Sequence, residues 1–202
     1  MSSSSLDLAF WYLGRGTGVV SLVLLTLVVA LGIATRSGRP LPGLPRFAVA
    51  AVHRNAGLLA VVLLVLHVGT LLLDPVAQLR LLDLVLPFVG SYRPLWLGLG
   101  TLGLDMMVAL IVTSLLRARI GVRAWRAVHW LAYAAWPVAL LHSLGTGTDA
   151  GTPWLRAIAA GCLALVAAAV AWRTSTGFSD ATGGRRGIGV PAAPHRRPDV
   201  LR

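Results

Sequence analysis

The amino-acid sequence predicts an all-α integral membrane protein, a bundle of about five transmembrane helices with one short interfacial helix. Three observations predict it. Of the 202 residues, 56% are hydrophobic and only 12% charged, too little charge to cover a soluble domain of this length. Several apolar runs approach or exceed the roughly 20 residues that cross a bilayer as helix. The arginines, finally, gather in the short loops between those runs and in the C-terminal tail, where charge reports membrane topology.

Taken in order, residues 1–7 form a short polar start without the basic leader region of a cleaved signal peptide. The first span is expected at 17–34, with an extension back to residue 10. A loop with Arg36, Arg39, Arg46 and three prolines ends it. The second span covers 48–73 and closes at Asp74-Pro75. In 76–92 the leucines are interrupted by Arg80 and Asp83 and stopped by Pro87, which reads as a short interfacial helix. The third span is 95–116, followed by a loop with Arg117, Arg119, Arg123 and Arg126. The fourth is 128–144 and the fifth 153–172. Residues 8–173 thus make one membrane domain, and 174–202, rich in Gly, Pro and Arg, a disordered basic tail.

All 18 basic residues are arginine, and the net charge is +11. Their placement in loops argues against a nucleic-acid partner. The 36–54 region, the 117–126 loop and the stretch from Arg173 to the C-terminus hold 14 of the 18, whereas the opposite side has Arg15, Arg80, Arg93 and Arg156. The positive-inside rule then puts the tail in the cytoplasm and the N-terminus outside a bacterial plasma membrane. Cys162 stands alone in an apolar run; no disulfide within the chain and no CxxCH for covalent haem attachment is available, and it reads as a small core residue.

Chemistry is expected at four histidines. His53 and His67 lie in the second span, His129 and His142 in the fourth. An imidazole in hydrocarbon needs a partner. Fourteen residues of helix turn through about 1400° and climb about 21 Å, so His53 and His67 share a face at two depths. The fourth span runs parallel to the second, so that His129 faces His53 near the inner leaflet and His142 faces His67 near the outer. Two pairs of axial ligands for two haems b result. The 13-residue spacing of the second pair falls about 140° off one helix face; a kink at Pro137 is expected to correct it. The competing readings are four separately hydrogen-bonded buried histidines, or a metal or proton-relay site. Ligands split between two depths and a single intramembrane acid, Asp105, disfavour the latter.

The chain resembles the ferric reductase-like transmembrane domain family, which includes the membrane part of NADPH oxidases and ferric reductases and the haem subunit of a bacterial methionine sulfoxide reductase. The resemblance covers about residues 11–172. It rests on His53-x13-His67 and His129-x12-His142, on Tyr12-Leu-Gly-Arg15-Gly-Thr-Gly18, on Ser91-Tyr-Arg-Pro-Leu-Trp96 and on His142-Ser-Leu-Gly-Thr-Gly-Thr-Asp149. It implies the same haem pairing, with His53 and His129 on the inner iron and His67 and His142 on the outer, and electron flow from the cytoplasm outward. The oxidases have six spans against five here, and a cytoplasmic flavin and nicotinamide domain that this chain lacks. Gly98-Leu-Gly-Thr-Leu-Gly103 fits GxGxxG but opens an apolar helix with no preceding strand, so helix packing explains it better than a dinucleotide.

The expected function is therefore a dihaem b-type transmembrane electron-transfer protein, an oxidoreductase component that needs a separate donor. That donor is a flavoprotein reductase or quinol; the acceptor is an extracytoplasmic redox protein, a ferric chelate or oxygen. The alternatives are a quinol-oxidising anchor of a periplasmic reductase and a haem-free proton or ion pathway. Arg15 and Arg54 are candidate propionate partners, each against the alternative of an interfacial or topological charge, and Arg126 is weighed likewise. Asp105 is a candidate acceptor for an axial imidazole. Gly57, Gly69 and Gly145 are candidates for close porphyrin approach or for helix packing. His195, in the tail, is not expected to be a ligand.

Overall fold

The computed structural model describes residues 3–75, 79–146 and 149–178. Six α-helices follow one another: α1 (Ser3–Ser37), α2 (Arg46–Leu73), α3 (Pro94–Leu115), α4 (Arg117–His129), α5 (Leu131–Thr146) and α6 (Pro153–Thr174), with a 3-10 turn at Leu81–Leu84. Among the described residues no strand forms beyond a bridge between Leu41 and Leu44. That bridge brackets Pro42-Gly43, where proline sets the first turn position and Gly43, at φ 75°, supplies the left-handed second one.

α1, α2, α3 and α6 are long and apolar enough to cross a membrane. The chain is a multi-pass, all-α membrane protein. α2, α3 and α6 begin and end within two residues of the expected spans, because prolines, arginines and Asp74 bound the apolar runs. Two expectations change. α1 has 35 residues and starts well before residue 17, because the Gly14–Gly18 stretch continues the helix instead of breaking it. Neighbouring side chains cover its glycines: Leu71 and Thr70 lie against Gly14, and His67 lies against Gly18. The expected fourth span is divided. His129 closes α4 and α5 opens at Leu131, leaving α5 with 16 residues, about 24 Å of helix, against a hydrocarbon core of about 30 Å. α4 carries four arginines, bends at Gly121 (φ 79°) and buries no residue. The helices are divided at Trp130, whose own backbone stays right-handed helical (φ −64°, ψ −22°), while Pro137 lies inside α5.

The helices pack antiparallel in sequence order. His53 meets the C-terminal half of α1 and His67 its N-terminal half. Trp136 of α5 meets Thr26, and Asp149, just past α5, meets Arg15. α2 and α5 thus run parallel to each other, both against α1. The core lies between α1, α5 and α6, where Leu22, Val29, Ile33, Trp136, Leu140, Ala159, Cys162 and Val166 form one buried cluster. Within it Trp136 Nε1 donates to Thr26 Oγ1 at 2.9 Å, and that hydroxyl donates to the Leu22 carbonyl. Among the described residues α2 packs mainly on α1 and turns Leu58, Leu59, Val62, Val65 and Leu66 outward, the face expected of a lipid-exposed helix. Between α2 and α5 a gap is left, and the candidate site occupies it.

The 76–92 segment contains the 3-10 turn and no longer helix among its described residues. Asp83 is buried and accepts from the Arg80 backbone N–H and guanidinium. This holds its carboxyl below the usual carboxylate range and raises Arg80. The expected tail beyond 178, with His195, lies outside the described residues.

Candidate functional site

The four histidines come together as two unequal pairs. His67 and His142 face each other across the gap, their ring centroids 6.4 Å apart and planes at 82°. His53 and His129 lie at the other end of the bundle. His129 is within electrostatic reach of His53 and stacks on Trp125 at 4.8 Å. Asp149, Arg15 and Arg93 surround the first pair's end. Arg36, Arg39, Arg46, Arg54, Arg117, Arg119, Arg123, Arg126 and Arg173 mark the second.

Three of the four rings are held in the same way. His53 Nδ1 lies 3.0 Å from the Val28 carbonyl, His67 Nδ1 2.7 Å from the Gly14 carbonyl and His142 Nδ1 2.8 Å from the Trp96 carbonyl. A carbonyl oxygen only accepts, so each Nδ1 carries the ring proton and each neutral ring presents an unprotonated Nε2. Thr146 Oγ1 also stands 3.1 Å from His142 Nδ1 while donating to the His142 carbonyl. His129 differs: its Nδ1 is buried and has no hydrogen-bond partner among the described residues.

A cavity of about 270 Å³ opens between the helices beside His67 and His142. Its wall is mostly apolar, including Leu64, Val68, Leu104, Met107 and Ala139, with Arg15 and Asp149 at one end. Such a lining, with a few convergent polar groups, is that of a cofactor pocket. Ser21 Oγ, on this wall, is buried with no partner. Neither His53 nor His129 lines this cavity. Arg15 forms an ion pair with Asp149, and its guanidinium lies over the Trp11 ring at 4.0 Å. Arg93 donates to the Gly145 carbonyl at 2.8 Å, tying the start of α3 to the end of α5.

A family model described as ferric reductase like transmembrane component matches residues 17–140. The chain belongs to that family. No curated protein and no solved structure gives a match. The chain is thus a membrane redox component of ferric reductase-like type. The matched region includes His53, His67 and His129 and ends two residues before His142.

A haem-type metal is the group such a component implies, and His67 and His142 are the pair that would hold one. Their ring centroids lie 6.4 Å apart with planes at 82°, a separation that would admit one metal ion between the two imidazoles. Both imidazoles also carry the hydrogen bond to Nδ1 that orients a metal-bound histidine. Among the described residues no three His, Cys or Asp side chains gather as a metal-ligand set; the histidines are paired, not clustered.

The remaining candidates separate clearly. Arg15 reaches the cavity; Arg54 is exposed, and Arg126 is partly buried, outside the lining. Asp105 makes no hydrogen bond to any histidine; backbone carbonyls take the role expected of it. Gly57 and Gly69 face open space, and Gly145 lies under the Trp96 ring. Of the Gly98–Gly103 motif, Gly98 packs on Phe88, Gly103 on Val138 and Gly100 on His142, which is helix packing rather than a nucleotide loop. Gly18, Gly32 and Gly100, each against a histidine ring, are the site residues missing from the sequence reading.

Proposed function

We propose that this chain is a dihaem b-type electron-transfer protein that passes electrons across the membrane to an acceptor on its outer face. The observation that supports it best is His67 facing His142 across an apolar cavity, each with its proton on Nδ1 and its Nε2 free. His67 and His142 hold the outer iron; His53 and His129 hold the inner one, about 21 Å further along α2. Haem b, when bound, supplies the one-electron chemistry. The protein fixes the rings, excludes water with its apolar wall and places charge at the ends. Two histidines on each iron would leave no coordination position open, so an acceptor would be met at the edge of the site, where Arg15 and Asp149 lie.

Arg15, at the outer end of the cavity, is positioned to hold a propionate, and Arg54 has the same role at the inner end. The arginine-rich end faces the cytoplasm of a bacterial cell, with the N-terminus outside. There a flavoprotein reductase, or a quinol in the membrane, delivers electrons; an extracytoplasmic redox protein, a ferric chelate or oxygen takes them. Proteoliposomes test this directly. With a reductant enclosed and a membrane-impermeant ferric chelate outside, the chelate is reduced by wild type but not by His53→Ala or His67→Ala. Equal rates in all three would reject the reading.

A further inference from the structure

Three histidines reach a helix carbonyl, and in each case the residue four positions after that carbonyl is glycine. The Gly14 carbonyl precedes Gly18, the Val28 carbonyl Gly32, and the Trp96 carbonyl Gly100. The register has a physical cause. On a helix, residue i+4 sits one turn along on the same face, so its side chain covers the approach to the carbonyl of residue i. That carbonyl already accepts the N–H of residue i+4 and has one lone pair left. At these three places a Cβ on residue i+4 would stand in the ring's way. A methyl at Gly18 would lie 2.8 Å from His67 Cε1, at Gly100 2.5 Å from His142 Cε1, and at Gly32 3.3 Å from His53 Cε1. The first two are closer than side-chain carbons come in proteins, and the third forces a smaller displacement.

No other glycine of α1 or α3 has an imidazole against it: Gly14 meets Leu71 and Thr70, Gly98 meets Phe88, Gly103 meets Val138 and Gly16 faces open space, as do Gly57 and Gly69 in α2. The coincidence of glycine, carbonyl and imidazole is therefore confined to three places, and at each the ring is one of the four paired histidines.

We propose that Gly18, Gly32 and Gly100 are positioning residues: each opens a seat in a helix wall that locks one imidazole with its proton on Nδ1 and its Nε2 directed at the metal. The outer pair has two seats and the inner pair one, since the buried Nδ1 of His129 has no acceptor among the described residues. The two sites are thus built with unequal rigidity, and the inner one releases its haem first.

The haem part of the test rests on the dihaem reading; the seats themselves do not. In haem-loaded protein, Gly18→Ala and Gly100→Ala lower outer-site haem affinity by about 10–100-fold, the usual effect of losing an orienting partner. They also raise the outer midpoint potential, because an imidazole that no longer donates from Nδ1 is a poorer donor to ferric iron; a tenfold selective loss corresponds to about 59 mV. Gly32→Ala acts likewise on the inner site. Gly16→Ala and Gly69→Ala, two residues from Gly18 and His67 respectively, leave affinity and potential unchanged. Wild-type affinity and potential in Gly18→Ala and Gly100→Ala, or equal shifts in the Gly16→Ala and Gly69→Ala controls, would overturn the proposal.

A second measurement needs neither variant nor haem. Solid-state NMR of the full chain labelled with ¹⁵N at histidine Nδ1 shows three intramembrane Nδ1–H groups in strong hydrogen bonds and one, assigned by His129→Gln, that is not. Four equivalent signals, or an unprotonated Nδ1 at His67 or His142, would refute the seats even in a protein that carries no haem. Three seated signals in a chain that never takes up haem would instead reject the dihaem reading and leave the seats standing.

Discussion

His67 and His142 bring their rings within 6.4 Å of one another although their helices, α2 and α5, are not packed together. Each ring is fixed by a third element instead, His67 by a carbonyl of α1 and His142 by a carbonyl of α3. The pair is thus set by the scaffold and the space between is kept open. Removing either ring has the same expected consequence: His67→Ala and His142→Ala each reduce the haem content from two per chain to one, and the double variant is no worse. His53→Ala removes the other haem. Pyridine haemochrome on the four proteins checks this, and additive losses from His67→Ala and His142→Ala would show that they do not share a metal.

Thr26 and Trp136 tie α1 to α5 in the core. Thr26→Val keeps the shape but leaves the indole N–H buried without an acceptor, which costs about 1–3 kcal/mol. Thr26→Ser keeps the bond and loses only a methyl. Thermal unfolding in detergent should rank wild type above Thr26→Ser, and Thr26→Ser above Thr26→Val; equal melting of the last two would show that the hydrogen bond contributes nothing.

Arg15 and Asp149 pair at one end of the cavity, their side chains 20% and 28% exposed. Partial burial places the loss on breaking the pair between the roughly 1 kcal/mol of a surface pair and the roughly 3–5 kcal/mol of a buried one. Asp149→Asn and Arg15→Gln are each destabilised, and the double variant by less than the sum. A double-mutant cycle reads that coupling; strict additivity would mean that the two charges act independently.

Asp83 gives a pH dependence with a defined sign. Arg80 holds its carboxyl below the ordinary range, so the native state binds the proton less readily than the unfolded chain. The stabilisation is complete above the ordinary carboxylate value of about 3.9 and is lost as pH falls through the depressed native one. The stability gap between wild type and Asp83→Asn should therefore be constant near neutral pH and close below about pH 4. A gap that widens on acidification would contradict the pairing.

The spans bounded by proline and charge were legible, because helix boundaries in lipid follow from composition. So were the histidines, since imidazole in an apolar run is conspicuous on its own. The start of α1 was legible only in part: the span was expected at 17–34 with an extension back to residue 10, and the helix is longer because Leu71, Thr70 and His67 of a distant segment cover Gly14 and Gly18. The break at Trp130 was hidden behind the more visible Pro137. The seats were invisible for a deeper reason. Gly18, Gly32 and Gly100 differ from Gly16, Gly57 and Gly69 only in what stands opposite, and that depends on helix pairing and rotation. Asp105, in contrast, drew attention as the lone intramembrane acid, yet backbone carbonyls do the orienting.

The central claim is that paired histidines hold two haems b, and the most direct measurement is a reduced-minus-oxidised absorption spectrum of the purified protein with haem counted per chain. The account predicts low-spin b-type bands and two haems. Colourless protein after expression with ample haem, or a high-spin spectrum showing an open iron position, would contradict it.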